Sequence, residues 1–399
     1  MHPAEDIRGI KSKKLSNKKI VLGVTGSIAA VETIKLAREL IRHGAEVIPV
    51  MTKNAAKIIH QDALWFATGE KPILELTGAT EHVSYCGQVK DHADLLLISP
   101  CTANTISKIA HGIDDTTVTT FATTAIGTGI PMIIVPAMHL SMYKHEIVQQ
   151  NIEKCKKIGI TFIQPNIEKN KAKHSEIDDI VSNVIRQTGN KQYSGKKILI
   201  IGGPTSESID DIRVITNRSS GKTAVTLALN AFYQDADVDL WLGKNANIKP
   251  PQYIKTNYFR TLNELIKKTQ VTDLKRYEYI VICAAISDYI PKKQKGKIPS
   301  GKNKLTIELK PSQKFIPILR KKAPKTKIIG FKVEEKKDKL KEKSMKILKN
   351  YNADFIIGNI IEGFEKDTNE IWIFNKKGKT FHKKDKKENL ASYILKIIK

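Results

Sequence analysis

A chain of 399 residues can bury two cores of ordinary size. Its 41% hydrophobic content is broken everywhere by charge, which excludes a membrane-spanning helix. Four scattered cysteines, Cys86, Cys101, Cys155 and Cys283, form no CxxC pair; that excludes a disulfide framework or zinc ribbon and fits a reducing cytoplasm.

The formal charge of +26 is spread along the chain, with clusters at 292–304, 321–349 and 376–387 where many lysines alternate with Glu and Asp. That is the pattern of solvated helical faces, and it argues for anionic small substrates on a basic background rather than nucleic acid. Residues 1–19 hold no apolar core segment and read as a short, solvated basic arm. Lys19–Val24 is a strand candidate that feeds Thr25-Gly26-Ser27-Ile28-Ala29-Ala30 and a helical pattern to His43. A strand, a small-residue turn and a helix leave free N–H groups where a phosphate can sit. Ala45–Met51 is a second strand with Thr52 at its carboxyl end; Asp94–Ser99 is a third, running into Pro100-Cys-Thr-Ala-Asn-Thr105. Pro131–Val135 is a fourth and ends in Pro136-Ala-Met-His139. Strands alternating with helices predict a parallel sheet covered on both faces, with ligands beyond the strands' carboxyl ends.

GVTGSIAA, the His82-Val83 pair, SPCTANTISKIAHGIDD and PAMHLSMY occur in that order over residues 20 to 150. Together they resemble the flavin-mononucleotide-dependent cysteine decarboxylases, specifically the phosphopantothenoylcysteine decarboxylase family. The resemblance implies a flavodoxin-like domain that binds FMN. It places Gly26, Ser27 and Thr52 at the flavin phosphate and ribityl chain, Ser99, Thr102, Ala103 and Asn104 in the flavin-binding turn, and His82 at the active site. Two departures stand out. His139 occupies the place of a substrate-binding asparagine, and the flap expected near Ile167 to His174 reads IEKNKAKH, without the family's cysteine. Both resemble the archaeal branch. Cys155, in NIEKCKKIG, reads as a small packing residue on a helix.

Arg186–Lys196 is polar and glycine-punctuated, which puts a domain boundary there and divides the chain into 20–190 and 191–399. Lys197–Gly203 reads as a buried strand ending in a glycine turn, and Asn217–Lys222 precedes an Ala/Leu-rich helix from about Ser219 to Gln234. Helix-start N–H groups and two basic side chains again make a place for phosphate. The GKT ending is not a P-loop, which would need glycine where Thr216 stands. Val238–Leu242 and Tyr279–Ala285 are further strands, and helices are expected at 261–269 and 335–351.

GGPTSESIDDIRVITNRSSGK resembles the signature of the phosphopantothenate–cysteine ligases, with its middle part arranged as Ile209-Asp210-Asp211-Ile212-Arg213. The resemblance implies a Rossmann-like ligase domain that uses CTP with Mg2+ or Mn2+. A carboxylate attacks the α-phosphorus to give an acyl-cytidylate and pyrophosphate, and the amine of cysteine then displaces the nucleotide. Asn217 would hold the acyl-nucleotide for the second step, and Lys297, on a flexible loop in Gly296-Lys297-Ile298, would meet the reacting phosphate. Ile282, Cys283 and Ala284 would contact the nucleotide beside the acidic Asp288. Ser312, at a helix cap, with Gln313, Lys314 and Phe315 would form the triphosphate loop; Phe331 would meet the base, and Lys346 would add a basic contact.

The expected whole is an α/β chain of two doubly wound three-layer domains: a cytoplasmic, homo-oligomeric coenzyme A biosynthesis enzyme acting on phosphopantothenate, cysteine and CTP, with no nucleic-acid or membrane partner. A flavin prenyltransferase would leave residues 196–399 without a use. A nucleic-acid-binding protein would show steep salt-dependent retention without flavin colour.

Overall fold

The computed structural model describes residues 2–168, 171–173, 175–301, 303–360 and 368–399, and the chain divides into two compact units, Met1–Asn190 and Lys191–Lys399. In the first, apolar runs form β1 (Lys19–Val24), β2 (Glu46–Met51), β3 (Leu95–Cys101), β4 (Met132–Pro136) and, after β5 (Met138–His139), the short β6 (Thr161–Phe162). The sheet order is β2-β1-β3-β4-β6, all parallel. β3 is buried at every position, because strands covered on both faces have no solvent side to alternate towards. β7 (Asn166–Glu168) and β8 (Lys171–Lys173) form a hairpin that joins β5 in a separate antiparallel sheet. Its register sets Met138 opposite Ala172 and His139 opposite Lys171. The cysteine-free flap segment is therefore laid along the His139 strand, with residues 169, 170 and 174 outside the described residues.

Residues 2–18 are not a solvated arm. The helix Thr33–Arg42 ends with carbonyls that have no partner inside the helix, and the leading segment supplies them. Gly9 N donates to Ile41 O at 3.0 Å, Lys11 N to Arg42 O at 2.9 Å and Leu15 N to His43 O at 2.9 Å. Ala4 and Leu15 are fully buried, Ser12 Oγ lies 2.7 Å from His43 Nδ1, and Lys11 pairs with Glu39. Lysine count hid a segment that buries Ala4 and Leu15, although Ile10 stays exposed.

The second unit contains β9 (Lys197–Gly202), the small ribbon β10 (Ser206–Ser208) and β11 (Val214–Thr216), β12 (Asp237–Gly243), β13 (Lys255–Phe259) and β14 (Tyr279–Ile282). The hairpin β15 (Tyr289–Pro291) and β16 (Leu309–Pro311) follows, then β17 (Lys327–Glu334), β18 (Phe355–Ile360), β19 (Thr368–Asn375) and β20 (Thr380–Lys386). The main sheet runs β13-β12-β9-β14-β17-β18-β19-β20, parallel through β18 and antiparallel for the last two. The doubly wound expectation thus describes six strands, and an antiparallel edge hairpin extends it. A Cβ on Gly202 would lie 2.1 Å from the Ala224 Cβ, so glycine is what lets the helix Lys222–Tyr233 pack directly on the end of β9. Gly203 has φ +76° and sits against the Gly243 backbone, where any side chain would collide.

If the leading segment is part of the core, Leu15→Ala should cost about 2–5 kcal/mol in denaturant unfolding, the range for removing a buried leucine side chain. A solvated arm would show no change.

Candidate functional site

In the first unit, the turns after β1, β2, β3 and β4 gather at one edge and are tied together. Thr25 Oγ1 donates to Pro100 O at 2.9 Å and accepts from Thr102 N at 3.0 Å. Thr52 N donates to Val24 O at 3.0 Å, and Ser27 Oγ donates to Ala137 O at 3.2 Å. Ser27, Thr52 and Thr102 each cap a helical turn, accepting from Ala29 N, Ala55 N and Thr105 N. A Cβ on Gly26 would come within 2.7 Å of Asn54 Cβ, so the β1 turn approaches the β2 turn as closely as backbone allows. Ala103 is buried at the start of the helix Ala103–His111, and Asn104 is exposed. Ser99 is different: it lies within β3, fully buried, and takes no exposed place in the turn.

The two histidines are held differently. His139 is exposed and its Nδ1 accepts from Ser141 N at 3.4 Å while lying 2.9 Å from Ser141 Oγ; its Nε2 has no hydrogen bond among the described residues. His82 lies on the helix Glu81–Cys86, which packs against the helix Thr117–Thr128, and no described hydrogen bond links it to the strand-end turns. Its Nδ1 is buried with no hydrogen-bond partner among the described residues. Cys155 is fully buried on the helix Glu146–Lys157, as its packing role required, and burial pushes its thiol up to about 11; Cys86 is pushed up to about 12 in the same way.

In the second unit, a cleft of about 160 Å³ opens over the carboxyl ends of β9, β14 and β17. Gly203, Ser219–Lys222, Cys283, Ala284, Phe331 and Asn359 line it. Asn217 stands beside it, with Nδ2 donating to Ala285 O at 3.1 Å. Ile282 and Phe315 are absent from the lining because both are packed into the core, Phe315 as the first residue of the helix Phe315–Lys322. Part of the cleft wall comes from Asn369 and Ile371 on β19 and Leu390 on the helix Lys387–Ile398. Sequence reading did not find these residues. The available signal was the Asn375-Lys-Lys-Gly378 turn between two alternating segments.

Asp288, Ser312 and Lys314 form a second cluster at the base of the β15–β16 hairpin. Asp288 Oδ1 pairs with Lys314 Nζ at 2.6 Å, and that contact raises the lysine's pKa. Ser312 does not cap the helix, whose N-cap is Lys314; its Oγ donates to Ser287 O at 2.7 Å, clipping the hairpin to the end of β14. Gln313 is exposed next to it. Lys346 sits on the helix Lys337–Asn350, paired with Glu342 at 2.6 Å and away from the cleft lining. Lys297 is exposed between two anchored neighbours: Gly296 N donates to Asp211 Oδ2 at 2.8 Å and Ile298 N to Asp210 Oδ2 at 3.0 Å. The loop expected to be flexible is therefore fixed at that point.

Two family models divide the chain where its two units divide. The flavoprotein family matches residues 8–189, and the DNA/pantothenate metabolism flavoprotein C-terminal domain matches residues 193–399. The fold and sites thus define a two-domain α/β flavoprotein. The chain is 44% identical over 390 residues to the coenzyme A biosynthesis bifunctional protein CoaBC of Thermococcus kodakarensis, covering 96% of this chain and 94% of that one. It is 39% identical over 411 residues to the Methanocaldococcus jannaschii protein of the same name, covering 100% and 98%. Among solved structures, the C-terminal domain of a coenzyme A biosynthesis bifunctional protein CoaBC aligns at 28% identity, covering 53% of this chain and 96% of that one with a TM-score of 0.44. The chain belongs to the family of coenzyme A biosynthesis bifunctional proteins.

No helix among the described residues is long and apolar enough to cross a membrane. Because buried thiols lack thiolate, a disulfide reagent at pH 8 should leave Cys86, Cys101 and Cys155 unmodified in the folded protein, with reaction appearing only on unfolding. Rapid native labelling of Cys155 would mean that it is an accessible thiol.

Proposed function

We propose that the second unit joins phosphopantothenate to cysteine through an acyl-cytidylate made with CTP and Mg2+ or Mn2+, and that the first unit decarboxylates the product to phosphopantetheine with FMN. The ligase and decarboxylase activities are those of the family. The observation that carries the reading is that one family of bifunctional proteins spans both units, each with a polar cluster at its strand ends.

The β1–β4 turns fit the phosphate end of FMN. The Gly26 turn leaves no side chain between backbone and ligand, and Thr52 Oγ1, which accepts from Ala55 N, still has its proton to donate. FMN, when bound, supplies the hydride acceptor that makes loss of carbon dioxide possible. The chain's own work is then to orient the substrate and move protons. His139, with Nε2 open, would hold the substrate carboxylate or amide, and His82 would serve as the base for the thiol. A bound group would also relieve the orphaned His82 ring nitrogen. The proton returned to product would come from water or a non-thiol group.

In the ligase unit the nucleotide would occupy the cleft, with Phe331 against its base and Cys283 and Ala284 beside it. The Asp288–Lys314 pair is solvent-exposed on both sides and worth at most about 1 kcal/mol, so a triphosphate can take over the lysine. Among the described residues no group of three or more His, Cys, Asp or Glu side chains is placed to hold a metal. A divalent ion bound with the nucleotide would keep phosphate oxygens and water among its ligands, as Mg2+ commonly does. Lys297 would neutralise charge building on the reacting phosphates, and Asn217 would orient the acyl-nucleotide for attack by cysteine.

Three variants test these roles. Lys297→Gln should suppress pyrophosphate release by about a hundredfold or more, the cost of losing one donor to transition-state charge. Asn217→Asp should still release pyrophosphate and accumulate the acyl-nucleotide; wild-type turnover in both variants would sink the assignment. In the first unit, His82→Asn should abolish flavin bleaching by phosphopantothenoylcysteine while Cys155→Ser leaves product formation nearly intact. A loss of ~10²–10⁴ in Cys155→Ser, the usual worth of a general acid or base, would relocate the catalytic acid to that helix.

A further inference from the structure

A buried carboxylate holds the backbone on either side of Lys297. The Asp210 side chain has no exposed surface, yet both its oxygens are filled. Oδ1 accepts from Ile212 N at 2.8 Å and Arg213 N at 2.6 Å, closing its own turn. Oδ2 accepts from Arg213 Nη1 at 2.7 Å and from Ile298 N at 3.0 Å, across 88 residues of sequence. Arg213 Nη1 also donates to Ile298 O at 3.1 Å, so both polar backbone atoms of Ile298 are taken. On the other side of Lys297, Gly296 N donates to Asp211 Oδ2 at 2.8 Å, and Gly296 O accepts from Asp211 N at 3.2 Å. Gln294 N donates to Ile209 O at 2.8 Å, and Lys293 pairs with Asp211 at 2.7 Å. Ile298 is itself buried.

The residues before and after Lys297 are thus bound through both N–H and C=O, while Lys297 stays exposed with no ion pair among the described residues. A loop this rich in lysine and glycine would otherwise sample many conformations, and a mobile charge stabilises a transition state poorly. The four donors, Ile298 N–H foremost, hold the Asp210 carboxyl well below the usual carboxylate range. Its folded pKa being depressed, the clasp is fully formed above the ordinary carboxylate pKa and is lost only as pH falls through the folded value.

We infer that Asp210 is a positioning residue for acyl-nucleotide formation, acting through the Ile298 backbone to present the Lys297 ammonium to the reacting phosphates. This rests on the role proposed for Lys297 and adds what sets that lysine in place. Asp210 itself need touch neither substrate nor nucleotide.

The test uses the full-length protein and measures pyrophosphate release with phosphopantothenate and CTP for Asp210→Asn, Lys297→Gln and the double variant. Asp210→Asn should lower kcat by about a hundredfold, the scale of a misplacement near 1 Å, with KM for CTP little changed. The double variant should be no slower than Lys297→Gln alone, because Asp210 acts only through that lysine. Trypsin should cut the 293–297 segment of Asp210→Asn faster than in the parent chain while the unfolding midpoint moves little. If Lys297→Gln itself retains full pyrophosphate release, the underlying role of Lys297 fails. If Lys297→Gln loses it and Asp210→Asn keeps it, or if the two losses multiply in the double variant, the positioning role fails. Should Asp210→Asn not fold, Asp211→Ala takes its place: it lies at an exposed position and removes the side-chain bond to Gly296 N together with the Lys293 pair, leaving the backbone bond to Gly296 O and the Ile298 clasp. It should show the same kcat loss in smaller measure, and an unchanged kcat with a freed loop would overturn the inference.

Discussion

Parallel pairing is the constraint on which both sites depend. Strands that run the same way deliver the chain at the same edge, and each must return by a helix or long connection. In the first unit this brings the turns after β1, β2, β3 and β4 together, so that Thr25, Ser27 and Thr52 bond to segments 28 to 110 residues away. In the second unit it brings Gly203, Cys283 and Phe331 to one cleft. Helix N-termini at these edges offer unpaired N–H groups to anions, so a sheet built for packing also creates the place for a phosphate.

The second unit adds a device that the first does not show. The lysine proposed to meet the reacting phosphate, Lys297, comes not from a strand end but from a long insertion between β15 and β16, and the price of that reach is loop entropy. The β15–β16 pairing closes the base of the insertion, Ser312 clips it to Ser287, and Asp210 and Asp211 fix it at Gly296 and Ile298. The two aspartates follow one another in the signature stretch, so one turn ties both residues that flank Lys297.

Much of this architecture was legible in the sequence because doubly covered strands read as apolar runs. Lys19–Val24 and the strand Val238–Leu242 were placed within two residues of where they lie. What was hidden depended on tertiary partners. Residues 2–18 look solvated by composition, but their N–H groups are what the end of the helix Thr33–Arg42 lacks. β20 sets exposed Thr380, His382, Lys384 and Lys386 between half-buried Phe381, Lys383 and Asp385, charge that discourages further pairing at an edge, and that polarity masked both the strand and the cleft wall it supports. Phe315 shares a motif with Lys314 but faces the core, because the helix it begins needs an apolar anchor there. Ser99 is buried for a similar reason, since β3 extends beyond it. A motif names the neighbourhood; the helix or strand decides which side chain reaches the ligand.

Whether the two units form one reaction sequence can be asked of the whole chain at once. The full-length protein would be given phosphopantothenate and cysteine labelled with carbon-13 in its carboxyl group, with and without CTP. The account predicts one labelled carbon dioxide for each phosphopantetheine formed, with release absent when CTP is withheld. Labelled carbon dioxide without CTP, or phosphopantothenoylcysteine that accumulates with its label intact in the flavin-loaded protein, would contradict it.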